Sequence, residues 1–293
     1  MNLVVGATGM VGAEICRLLA AAGKPVKALV RGTSDPATVA KLERLGAVVV
    51  QGDLRDRRSL ESACEGVDAV VTTASSMPFA YRLDENTPQV TDQDGCLDLI
   101  DVARDAGVQR LVYTSFPPMV GSFPLQDAKR AVEERLRSSG LTYTILQPTY
   151  FMEIWLSPAV GFDYPDHKAA IYGTGDNPIS WISFQDVAQF AVASLDNPMA
   201  EDTTLALGGP ESVTPSDVVR IFERAGGKPF EVTHVPVDAL QAQLAAATDP
   251  MQKSFIGLML NYASAGPIDM SATLGAFPLR LKTVGEHARS MMA

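Results

Sequence analysis

Seven residues near the N-terminus, Gly6-Ala7-Thr8-Gly9-Met10-Val11-Gly12, follow the apolar run Asn2-Leu3-Val4-Val5 and open a stretch with helical apolar spacing. Glycines placed this way, between a strand and a helix, let the backbone turn tightly and approach an anion without a Cβ in between. The unpaired N–H groups of the first helical turn then face a pyrophosphate. A turn that merely tolerates small residues is the plain alternative, and the spacing in this setting argues against it. Gly6, Thr8, Gly9, Met10, Val11 and Gly12 are the expected phosphate contacts.

The second strand decides between dinucleotides, because an acid at its end normally takes the ribose 2′-hydroxyl. Here Ala28-Leu29-Val30 runs into Arg31-Gly32-Thr33-Ser34, with no acid before Asp35. A guanidinium there pairs with a 2′-phosphate, with Thr33 and Ser34 adding hydroxyls, so NADP(H) is favoured over NAD(H). An exposed surface arginine is the other reading of Arg31. Asp53 and Leu54 close the third strand, where the carboxylate could accept from an adenine amino group or cap the next helix. Ala74 and Ser75 close the fourth, on the ribose and nicotinamide side.

These residues need a scaffold that brings strand ends together. Strands are expected at Leu3–Val5, Val26–Val30, Ala47–Gln51, Ala69–Thr73, Leu111–Thr114 and Thr142–Leu146. Helices fall between them at Val11–Ala22, Pro36–Leu45, Arg58–Cys64, Gln93–Ala106 and Leu125–Ser138. Gly23, Gly46, Gly66, Gly107 and Gly140 each follow a helix, where a left-handed residue is wanted. The alternation predicts an α/β fold with a doubly wound parallel sheet. After Pro148 it stops. Phe184–Leu195 and Thr204–Leu207 read as a helix and strand returning to the main sheet, followed by a helix Ser216–Ala225 capped by Thr214 or Ser216, a strand Glu231–Val235 and two helical stretches up to Tyr262. The last thirty residues are poorly patterned. Residues 1–150 and 183–209 are therefore assigned to the dinucleotide-binding core, and 151–182 with 210–293 to a smaller substrate lobe.

With 293 residues and 46% apolar content, a packed core of this size is expected. A net charge of −10 without a basic cluster argues against nucleic acid or an anionic membrane as partner. Cys16, Cys64 and Cys96 read as buried thiols of a cytoplasmic protein, and no stretch is long enough to span a bilayer. His167, His234 and His287 share no metal-binding spacing, so no metal is expected. The serine-hydrolase elbow and the phosphoryl-transfer loop are both missing from the sequence. A small molecule is the expected partner, and a homodimer is compatible with the sequence.

Leu125, Lys129, Val132 and Leu136 share one face of their helix, with Arg130, Glu133, Glu134 and Arg137 on the others. A lysine within an apolar stripe either holds ribose hydroxyls or acts as an acid, or its stem snorkels to water from the stripe's edge. Thr114 and Ser115, ending the fifth strand, could orient a substrate carbonyl or simply end the strand. Pro148 and Thr149, ending the sixth, are placed against the nicotinamide carboxamide. Substrate contacts are sought in the long loop Ser76–Val90, with Met77, Phe79 and Tyr81, and in Phe151, Trp155, Tyr164 and His167. These aromatics suit a flat apolar substrate; half of them as lobe core is the competing reading. Tyr81, Tyr150 and Tyr164 are candidate proton donors.

Gly6-Ala7-Thr8-Gly9 with Gly12, Leu29-Val30-Arg31, Gly52-Asp53-Leu54, the helix Asp98 to Ala106 before Gly107-Val108, and Asp186-Val187-Ala188 resemble the atypical short-chain dehydrogenase/reductases of the NmrA-like group. That group includes NADPH-dependent quinone reductases, isoflavone-reductase-like enzymes and redox-sensing regulators. The resemblance covers residues 1 to about 260 and implies a Rossmann core with an NADP(H) site. It places Lys129 at the lysine of the usual tyrosine–lysine pair, while Leu125 stands where the tyrosine would be. Isoflavone-reductase-like relatives rely on the lysine without that tyrosine. The expected function is an NADPH-dependent reductase passing hydride to a small apolar conjugated carbonyl or quinone-like substrate. The alternative is a non-catalytic NADP(H)-sensing regulator of the NmrA type.

Overall fold

The computed structural model describes residues 1–77 and 86–293. Seven strands form the main sheet: β1 Asn2–Val5, β2 Val26–Val30, β3 Val48–Gln51, β4 Ala69–Thr72, β5 Arg110–Thr114, β6 Thr142–Pro148 and, after an intervening β7 Phe162–Asp163 and β8 Lys168–Tyr172, β9 Thr203–Leu207. Their order is β3-β2-β1-β4-β5-β6-β9. The pairs β1–β2, β2–β3, β1–β4, β4–β5 and β5–β6 all run parallel. The chain therefore leaves β1 in one direction for β2 and β3 and crosses back for β4, which opens a crevice at the carboxyl ends of β1 and β4.

The connections are helical: α1 Met10–Ala21, α2 Pro36–Arg44, α3 Arg57–Cys64, α4 Gly95–Asp105 and α5 Pro124–Arg137. The five glycines expected to end them do so with φ between 66° and 83°. Leu3, Val5, Val70, Leu111, Tyr113 and Ile145 from the strands pack against Leu60, Leu99, Ile100, Val132 and Leu136 from the helices as one core. Asp35 caps α2 by accepting from the amides of Ala37 and Thr38. A wide π-helical turn, Pro88–Asp94, leads directly into α4, so Gln93 belongs to that turn and Pro88–Val90, expected as loop, are already helical.

The chain divides into two compact units. The first holds Met1–Phe116, Pro124–Gln147 and Val187–Leu205, and the second Pro117–Phe123, Pro148–Asp186 and Ala206–Ala293. Helix α6 Met152–Trp155, helix α7 Phe184–Ser194, and helices α8 Pro215–Gly226, α9 Val237–Ala246, α10 Pro250–Tyr262, α11 Ser271–Ala276 and α12 Val284–Met292 complete the fold. In the second unit β10 Glu231–Val235 pairs parallel to β8, which pairs antiparallel to β7. The aromatic stretch before Trp181 thus contains two strands that its composition hid. The poorly patterned C-terminus holds α12, which starts with a capping box: Thr283 accepts from the Glu286 amide and Glu286 from the Thr283 amide. Among the described residues no helix is long and apolar enough to cross a membrane.

Candidate functional site

The carboxyl ends of β1 to β4 enclose a cavity of about 140 Å³. Its walls are Gly6, Thr8 and Gly9 from the glycine loop, Arg31 after β2, Gly52, Asp53 and Leu54 after β3, and Thr73, Ala74, Ser75 and Met77 after β4, with Asn86 and Thr91 beyond. Two glycines make this loop possible. Gly6 has φ +84°, and a Cβ on it would meet the Thr73 hydroxyl and the Ala74 amide at 2.8 and 2.9 Å. A Cβ on Gly12 would lie 2.1 Å from the Gly6 carbonyl oxygen, so helix and loop touch backbone to backbone. Gly9, the N-cap of α1, offers no side chain to the first turn, and that turn carries no acidic residue. The first-turn amides of Met10, Val11 and Gly12 thus carry no side-chain cap, and these three residues do not line the cavity.

Around Arg31 the chain turns, with the Ser34 amide donating to the Arg31 carbonyl and the Arg31 amide to the Ser34 hydroxyl. Thr33 and Ser34 belong to this turn and do not line the cavity. Asp53 is held by Arg55, whose Nε and Nη2 donate at 3.0 and 2.8 Å. That guanidinium chiefly, with a smaller contribution from Arg31, keeps the Asp53 carboxyl below the usual carboxylate range against its partial burial. The cap of α3 is Asp56, not Asp53. These groups suit NADP(H): amides for diphosphate, a guanidinium for an additional phosphate, and a carboxylate for an amino group.

Lys129 lies on the buried face of α5 with Leu125, Val132 and Leu136, as its spacing predicts, and is 4% exposed. Its Nζ is 3.2 Å from Oδ1 of Asp92 and donates to the Thr114 carbonyl at 3.4 Å. It also stands 5.0 Å from the Tyr113 ring centroid. Lys129 does not line the cavity. The amphipathic reading of α5 needs one correction. Glu133 is not on an outer face but buried, where it accepts from Gln147 at 2.9 Å and meets Arg130 and Arg137 at 3.0 and 3.3 Å. Three donors let a carboxylate replace an apolar side chain there. Arg130 in turn donates to the Ser115 hydroxyl at 2.9 Å and to the Phe116 carbonyl at 2.5 Å, which fixes the end of β5.

Asp92, which sequence reasoning missed, is fully buried on the π-helical turn. Its Oδ2 accepts from the Ser76 amide at 2.8 Å. The only hint was indirect: a lysine in an apolar stripe calls for a counter-ion, and nothing local named which acid. Asn86 and Thr91, hydrogen-bonded to one another, were likewise unforeseen as cavity walls. Phe79 and Tyr81 lie outside the described residues.

In the second unit Pro148 is buried and the Thr149 hydroxyl donates to the Ser180 carbonyl. The candidate aromatics fall into two groups. Trp155 meets Tyr150 edge-on with ring centroids 4.9 Å apart and stacks on Tyr262 at 5.2 Å. Tyr164 and His167 instead pack against Phe222 and Phe230, at 6.2 and 5.2 Å. Burial pushes the Tyr150 hydroxyl well above the usual phenol range. Phe151 caps α6, half-buried.

A parallel sheet in this order, with a glycine loop after its first strand and a lobe built from the later chain, is a doubly wound Rossmann fold. The sequence profile of the NmrA-like family matches residues 2–288, and the chain belongs to that family. It is 32% identical to the NAD(P)H azoreductase of Xenophilus azovorans, over 99% of this chain and 95% of that one. It is 31% identical to the photosystem II assembly factor Ycf39 of Synechocystis, over 82% of this chain and 72% of that one. The fold matches the NADPH-dependent quinone oxidoreductase QOR2 of Escherichia coli complexed with NADPH, with TM-score 0.79, 22% identity and all of both chains covered.

Proposed function

We propose that this protein is an NADPH-dependent reductase that passes hydride to a small apolar conjugated carbonyl or quinone-like acceptor. The observation that carries this reading is the cavity itself, whose walls bring together Gly6 and Gly9 just before the uncapped start of α1, Arg31 after β2, and Ser75, Met77 and Thr91. The amides of Met10, Val11 and Gly12 would bind the diphosphate and Arg31 the 2′-phosphate, with Thr33 and Ser34 bracing the turn that presents it. Asp53 and Leu54 would take the adenine, and Ala74 and Ser75 a ribose. Thr114, Ser115 and Lys129 would serve the nicotinamide side. NADPH, when bound, supplies the hydride, and the protein supplies orientation. Two of the names point the same way, the NAD(P)H azoreductase and the NADPH-dependent quinone oxidoreductase, whereas the assembly factor Ycf39 does not.

The test is a titration with NADPH and NADH followed by nicotinamide fluorescence, then incubation with NADPH and quinones, enones, imines and azo dyes. Binding of NADPH about tenfold or more tighter than NADH, lost in Arg31→Ala, is expected, together with NADPH oxidation by part of the panel. Tight binding with no oxidation anywhere would favour the NADP(H)-sensing alternative. A preference for NADH that survives Arg31→Ala would overturn the cofactor assignment.

A further inference from the structure

The fully buried carboxylate of Asp92 bridges the segment after β4 and helix α5. Through Oδ2 it accepts from the backbone of Ser76, directly between the cavity residues Ser75 and Met77. Through Oδ1 it faces the Lys129 ammonium, which reaches the Thr114 carbonyl at the end of β5. The turn that carries it is π-helical, the Gly95 amide donating to the Val90 carbonyl, and such widened turns recur at functional sites. Gly95 allows the turn to lie close: a Cβ there would sit 2.7 Å from that of Leu54, itself a cavity wall. A charge held this far from water is retained only with a partner, and here the partner is Lys129.

Building on the reductase reading, we propose that Asp92 is the positioning residue of the site. It holds the Ala74–Met77 wall of the cavity and aims Lys129 at the end of β5, acting on the reaction only through those two groups. A purely structural pair would lower stability and leave turnover per folded molecule unchanged. A positioning residue lowers turnover, and its effect vanishes once Lys129 is gone.

The experiment is a cycle of Asp92→Asn, Lys129→Met and the two combined in the full chain, with folding checked by near-UV circular dichroism. Expected falls in kcat are about tenfold for Asp92→Asn and about a hundredfold for Lys129→Met, with the combination no worse than about a hundredfold. Wild-type turnover in Asp92→Asn, or a combined loss near the product of the two, about a thousandfold, overturns the proposal. Should wild type bind NADPH without oxidising any acceptor, the reductase reading fails on its own, and the same cycle is read in the Kd for NADPH. Should a single variant fail to fold, Asp92→Leu with Lys129→Met, which leaves no buried charge, carries the test. Amide exchange at Ala74–Met77 is then expected at least about tenfold faster, and NADPH binding about tenfold weaker. No change in either overturns the proposal.

Discussion

His287 on α12 is 1% exposed, and neither ring nitrogen has a hydrogen-bond partner among the described residues. The nearest carboxylate, Glu153, is 4.0 Å away and already accepts from the Ser183 hydroxyl and the Phe184 amide. Burial chiefly, opposed by Glu153 and aided by the positive charge of Lys282, lowers the imidazole from 6.5 to about 4. The folded protein therefore binds this proton more weakly than the unfolded chain does. Stability is intact above pH 6.5, is lost progressively as pH falls below that, and the loss is complete once pH has fallen through about 4. The full loss is about 3 kcal/mol, of which about 2 is spent by pH 5. Replacing His287 with Leu, similar in volume and without unpartnered nitrogens, is expected to change stability by about 1 kcal/mol or less at pH 7. Urea unfolding of both proteins at pH 7, 6 and 5 measures the difference. Between pH 7 and 5 it should move in favour of His287→Leu by about 2 kcal/mol. Parallel profiles across that range would show that the buried imidazole does not govern acid stability.

Asp186 titrates with the opposite sign. Burial raises its carboxyl from 3.8 to about 6, outweighing the Lys282 amide that donates to it. Stability is thus greatest below about pH 4 and declines as pH rises through 6, so Asp186→Asn should gain about 2 to 3 kcal/mol at pH 7 and almost nothing at pH 3.5, read by thermal melts. Gly12→Ala would drive a methyl against the Gly6 carbonyl, and is expected to lower the melting temperature and abolish NADPH binding in the same preparation. A Gly12→Ala protein with normal nucleotide affinity would mean that the loop shifts without cost.

The glycine loop, the strand ends and the apolar stripe of α5 were legible because each is a local pattern: turn chemistry, periodicity of two or 3.6, and charge against an apolar neighbour. Asp92 was not, since what makes it special is a partner 37 positions away on another helix. Glu133 was misplaced for the same reason. Its three donors come from Arg130 and Arg137 on its own helix and from Gln147 on β6, and only the last explains why a carboxylate faces inward. Strand β7 was hidden because it is only two residues long, and β8 because it lies in a stretch of aromatics, Pro and Gly without strand alternation. Helix α12 could have been found. Thr283 and Glu286 stand at capping-box spacing, a local signal set among glycine and small residues.

The position of β9 bears on how the protein is made. Strand β6 is finished at Pro148, yet its neighbour on the open side is Thr203–Leu207, and the chain between contributes to the second unit. A ribosome therefore exposes the open edge of β6, and must make the Pro148–Asp186 part of the other unit before that edge is covered. Unpaired edges of nascent sheets are where chains stick to one another. Truncation before Leu207 should thus yield insoluble material rather than a smaller working domain. Nascent chains of this protein are expected to engage chaperones until β9 has emerged.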